Sequence, residues 1–213
     1  MLPLALDDLL PLDEYAGRRR EFFDSHLRYI DRYRRVRVGP RLTLVFENRQ
    51  TLWFRVQETL RVARLTGLQR VQRQLDLLNR LLPRRNQLQA ALLIDVPDDT
   101  RLTEELAFWQ TLAGDALFLR FGDHIIPARL VTCRPEDRCI GAAHWAQFTL
   151  DAAARRLLAN FRQNAGFVVA HDTYHHHSEP LSDDVRQSLL DDLELSDRDQ
   201  VGEGRDQVGD GRG

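Results

Sequence analysis

An α+β chain, with a mostly antiparallel sheet of about five or six strands and helices packed on it, is what the sequence predicts. Three observations point there. Apolar residues recur at helical spacings through residues 13–35 and 51–82, so the N-terminal part reads as largely helical. From residue 88 onward the apolar runs shorten and are punctuated by Gly, Pro and Asp, as antiparallel strands and turns require. The length of 213 residues suits one ordinary domain. Residues 1–195 are accordingly read as a single α+β domain and 196–213 as a disordered low-complexity tail.

Taken in order, Asp13 can cap a helix running to about Arg35, with Tyr15, Phe22, His26, Ile30 and Tyr33 on one face. Gly39-Pro40 stops any helix, and Leu42–Phe46 reads as a short, largely buried strand. Leu52, Val56, Leu60 and Ala63 form the next helical stripe, which Gly67 would end. Leu68, Val71, Leu75, Leu78 and Leu82 form another, ended by Pro83. Leu88 to Val96 reads as a strand, and Pro97-Asp-Asp as a turn. A helix carrying Leu102, Leu106 and Trp109 follows, capped by Asp99 or Thr100 and closed by Gly114. Ala116–Phe121 and Ile125–Thr132 flank Gly122-Asp-His124 as a hairpin. Ala143–Leu150 alternates as a strand, a helix spans about Asp151 to Gln163, and Phe167–Ala170 is a last short strand. Ser182 caps a final helix with Val185, Leu189 and Leu193 as its buried stripe. In the tail, Arg198–Gly204 is repeated nearly unchanged as Arg205–Gly211. The unit is polar, Gly-rich and holds one valine, so burial cannot offset its ordering entropy.

Composition bounds the function. No apolar run approaches 18 residues, which excludes a membrane helix. The acidic start lacks the basic region of a secretory signal. Two cysteines, Cys133 and Cys139, make neither a disulfide framework nor a four-thiolate metal site, so the expected compartment is the cytoplasm. No nucleophile elbow, phosphate loop or dinucleotide fingerprint occurs. All 30 basic residues are arginine, and they are unevenly placed. Residues 17–85 carry 18 arginines against six acids, whereas residues 86–213 carry 12 against 22. Such a basic half could attract an acidic protein, a phosphate-bearing ligand or nucleic acid, or be matched by the acidic half of the same molecule.

The stretch Val36-Arg-Val-Gly-Pro-Arg-Leu-Thr-Leu-Val-Phe-Glu-Asn-Arg49, with Val56-Gln-Glu-Thr-Leu-Arg61 after it and Asp7–Tyr15 and Arg18-Arg19 before it, resembles the bacterial family known as domain of unknown function 3501. The similarity extends to Leu189-Leu-Asp-Asp-Leu193. His144-Trp145 looks like that family's His-Tyr pair, and His171-Asp-Thr-Tyr174 roughly matches its Asp-His-Pro-x-Tyr segment. The resemblance implies no established activity. It implies a context, because such proteins are often encoded beside rubrerythrin-like and iron–sulfur oxidoreductase proteins.

Two groups of candidate site residues follow. Arg19, Arg35, Arg37 and Arg41 belong to the arginine-rich entry, where Tyr29 and Tyr33 interleave with the charges. Glu47-Asn48-Arg49 ends a buried strand, and Glu58 lies on the next helix with Arg55 and Arg61 one turn away on either side. These could form a structural Arg–carboxylate network or bind a small anion. The second group is His171, Asp172, His175 and His177, a loop able to supply imidazole and carboxylate ligands to a transition metal, the one cofactor the residues suggest. The leading expectation is an accessory or binding partner in a non-haem iron or iron–sulfur redox system, partnered by a rubrerythrin-like or iron–sulfur protein. A metal-binding protein or metal-dependent enzyme using the His-rich loop is the alternative, and a nucleic-acid binder using the arginine block is third.

Overall fold

The computed structural model describes residues 1–96, 101–132 and 144–203, with side chains of the last helix described to Glu194. In chain order the elements are α1 (Leu12–Tyr33), β1 (Arg35–Val38), β2 (Leu42–Phe46), α2 (Arg49–Val62), α3 (Leu68–Asn79), β3 (Gln87–Ile94), α4 (Leu102–Gln110), β4 (Leu117–Phe121), β5 (His124–Pro127), β6 (Arg129–Thr132), β7 (His144–Thr149), α5 (Ala152–Ala159), β8 (Ala165–His171), β9 (Tyr174–His177) and α6 (Asp183–Glu203). The α+β class and antiparallel pairing are as expected, but the strands divide between two sheets. One has the order β1-β2-β3-β7-β6 and the other β5-β4-β8-β9. Their inner faces pack on one another, with the Phe167 ring 5.4 Å from Phe46 and 5.1 Å from Phe148. Leu189 and Leu193 of α6 are fully buried in the same core. A second core joins α2, α3 and the N-terminal segment through Leu4, Leu52, Val56, Leu60 and Leu75.

Several boundaries move, each for a physical reason. α1 ends at Tyr33, because Arg-Val-Arg-Val over residues 35–38 has the period of a strand and buries Val36 and Val38. Gly39 then turns the chain at φ +71°. A Cβ there would lie 2.5 Å from His176 Cγ, so only glycine fits. The Tyr174 hydroxyl fastens this turn, donating to the Val38 carbonyl at 2.9 Å and accepting from the Arg41 N–H at 3.0 Å. α2 stops at Val62, short of Gly67, which precedes α3 instead.

The stretch expected as one strand, Ile125–Thr132, is split. β5 pairs with β4, while β6 pairs with β7 in the other sheet. The bend falls at Pro127-Ala128, where proline offers no N–H to the ladder. Gly114 lets the chain pass there, since a Cβ would sit 2.1 Å from the Ala128 carbonyl oxygen. The histidine-rich segment is a β8–β9 hairpin rather than a loop, turning at Asp172 with φ +45°. α4 begins after Arg101 and ends at Gln110, before Gly114, and α5 ends at Ala159, four residues short of Gln163. α6 is described to Glu203. The remaining repeat residues, the expected turn and cap at 97–100, and both cysteines lie outside the described residues. Among the described residues no helix is long and apolar enough to cross a membrane.

Candidate functional site

Cross-strand pairing places the outer face of the five-stranded sheet beside the α1–α2 pair. Partners in a ladder point to the same side, so a row runs across all five strands: Arg35, Val45, Ala91, Trp145 and Val131. A parallel row holds Arg37, Thr43 and Leu93, and another Gln89, Gln147 and Arg129. Gln147 donates to Gln89 at 2.8 Å. Leu93 is 45% and Val131 39% exposed, and Trp145 is partly exposed between them. The Arg55 guanidinium lies 5.2 Å over the Trp145 ring.

Where β2 runs into α2, the polar residues expected to act together form two adjoining networks. Glu47 is 1% exposed and accepts from the Thr51 hydroxyl at 2.6 Å and from Arg55. Asn48 is the N-cap of α2, its side-chain oxygen accepting from the Gln50 and Thr51 N–H groups while its amide donates to the Tyr29 hydroxyl at 2.8 Å. Arg49 pairs with Asp8 at 2.6 Å. Glu58 instead receives Arg19 from α1, at 2.9 Å to each carboxylate oxygen, together with Arg61 and the Tyr15 hydroxyl. Burial would raise the Glu58 carboxyl, but the hydrogen bonds from Arg61, Arg19 and Tyr15 prevail and hold it at about 2. Burial and the bond to Glu58 push the Tyr15 phenol well above its usual range.

The other arginines are unequal. Arg35 pairs with Asp31 at 2.7 Å, and its Nε is buried without a hydrogen bond. Arg41 is committed inside the molecule, to Glu105, to the Asp95 carbonyl and over the Trp109 ring. Arg37 is exposed and joins no ion pair among the described residues. Arg34 of the same block is 2% exposed and pairs with Asp192 of α6 across the fold, with Tyr29 as a further partner. Burial lifts the Asp192 carboxyl above its ordinary range against the pull of Arg34. Tyr29 and Tyr33 line a cleft with Arg34, Asp184, Asp191 and Asp192, and Arg32, which lies 5.1 Å over the Tyr33 ring, pairs with Asp184.

The expected metal ligands are dispersed by strand alternation. His171 points inward, 7% exposed, its Nε2 3.0 Å from the Phe108 carbonyl oxygen and its ring against Phe108 and Trp109. His175 and His177 pair with Ala170 and Val168 and project from the outer face, while Asp172 occupies the turn, its carbonyl bonded to the His175 ring. Among the described residues no three His, Cys, Asp or Glu side chains are placed to share a metal ion. His144 also faces inward and is buried, which lowers its pKa despite a bond to the Trp109 carbonyl.

The sequence reading did not weigh Asp192 as a site residue. A signal for Asp192 exists: it lies seven residues after Val185 and next to Leu193, on the stripe that α6 buries.

A family model described as protein of unknown function (DUF3501) matches residues 3–193. The chain belongs to that family. The DUF3501 match ends at Leu193, the last apolar position of the α6 stripe. A crystal structure titled as a novel protein of unknown function from Burkholderia pseudomallei K96243 superposes with a TM-score of 0.80 at 27% sequence identity, covering 90% of this chain and 100% of that one. That DUF3501-like fold therefore occurs in both chains. No curated protein matches the chain.

Proposed function

We propose that this protein acts by binding, and that the outer face of its five-stranded sheet docks an acidic protein. The observation that carries the reading is the group of wholly or partly exposed apolar side chains on that face, Leu93, Trp145 and Val131, in rows with Arg35, Arg37 and Arg129, while Glu47, opposite Gln89, is buried and engaged by Arg55. Exposed apolar area with an aromatic centre and arginines around it has the composition of interface hot spots. Arginines at the rim steer an acidic surface into register, and their effect is on association rate and salt dependence. The partner class is the one the family context suggests, a rubrerythrin-like or iron–sulfur protein with an acidic docking face.

The test is titration with a purified rubrerythrin-like protein, followed by tryptophan fluorescence at several ionic strengths. Association that weakens with salt, is lost in Arg37→Glu/Arg129→Glu and loses its fluorescence change in Trp145→Phe supports the reading. Binding that is absent, or unchanged by the double charge reversal, refutes it.

A further inference from the structure

Beside the docking rows, α1, α2 and the end of β2 enclose a cleft of about 260 Å³, below the size usual for drug-sized ligands. Its apolar lining is Ile30, Val45 and Phe54, and its polar lining includes His26, Glu47 and Arg55. The His26 ring stacks on Phe54 with centroids 3.9 Å apart. Burial, with the nearby Arg55 charge, lowers its pKa to about 4, so the imidazole is neutral at pH 7 and presents one N–H donor. Arg55 spends a terminal nitrogen on Glu47, yet its Nε is buried and has no hydrogen-bond partner. An unmade bond at a shielded guanidinium donor is costly, and an acceptor that reached it from the cleft would remove that cost.

We propose that the cleft binds a small monocarboxylate with an apolar body. The carboxylate accepts from Arg55 Nε and from the His26 imidazole, and the body rests on Ile30, Val45 and Phe54. A carboxylate has two acceptor oxygens, one for each of these donors. A dianionic phosphate suits the site less well than a singly charged carboxylate, because Glu47 and Glu58 share its lining.

The probes are isobutyrate and benzoate, their neutral amides, and inorganic phosphate, followed by calorimetry and by the shift of the melting temperature of the full chain. The expected result is saturable, carboxylate-specific stabilisation, with affinity at least tenfold weaker in Arg55→Gln. Because Arg55→Gln also leaves Glu47 short of a partner, His26→Phe is the second variant. It keeps the ring stack and removes the N–H, and should weaken carboxylate binding while the protein stays folded. Amides or phosphate binding as well as the carboxylates would overturn the proposal. So would carboxylate affinity unchanged in both variants.

Discussion

Replacing Asp192 with Asn keeps the side chain's shape and removes its charge, leaving the Arg34 guanidinium without a counter-ion. The two side chains are 4% and 3% exposed, so water cannot take over. Breaking a buried pair by neutralising one member costs about 3–5 kcal/mol, chiefly the desolvation of the charge left behind. For a domain of this length each kcal/mol lowers the melting temperature by about 2–4 °C, so Asp192→Asn should melt about 6–20 °C below the parent. Urea unfolding followed by circular dichroism should show a lower midpoint at an unchanged denaturant slope. The double variant Arg34→Met/Asp192→Leu removes both charges and should recover at least about 2 kcal/mol of that loss. The Tyr29 hydroxyl keeps its bond from Asn48 in that background. An Asp192→Asn protein within about 1 kcal/mol of the parent, or a double variant no better than the single one, would refute the reasoning.

Two further outcomes follow from local geometry. Because the folded Glu58 carboxyl titrates at about 2 against an ordinary 4.5, its contribution is present above pH 4.5 and is lost as pH falls toward 2. The displacement corresponds to about 3 kcal/mol, and water at the open side of the pair with Arg19 reduces it toward about 2. Urea unfolding at pH 7 and pH 2.5 should therefore show the parent losing about 2 kcal/mol more than Glu58→Gln, and parallel losses would sink the account. Gly39→Ala places a methyl against His176 and Tyr174 at a positive φ, and should cost at least about 2 kcal/mol of unfolding free energy. A neutral Gly39→Ala would mean that the turn relaxes freely.

How much could be read from the residues depended on the range of the interaction. The stripes of α2, α3 and α6 are local periodicities, so they were legible. Alternation along a strand shows that one face is buried but carries no information about which sheet the strand joins. Hence β6, continuous with β5 in sequence, could not be assigned to the other sheet. The histidines of β9 concealed strand character behind an apparent ligand composition. At the site, Glu58 has arginines a turn away on both sides, and sequence spacing weighs Arg55 and Arg61 alike. Only packing shows that Arg55 turns to Glu47 and that Arg19 arrives from α1. The docking rows need the register of four ladders, which no local pattern specifies.

The Arg34–Asp192 pair also bears on how the molecule comes to be folded. Its members are 158 residues apart, and the neighbouring Arg32–Asp184 bond spans 152. During synthesis at ~5–20 residues per second, α1 would therefore leave the ribosome about 8–30 s before its counter-charges on α6 exist. For that interval Arg34 must stay hydrated, and the end of α1 cannot settle into its final burial. Closure of the loop is thus a late event, set by translation.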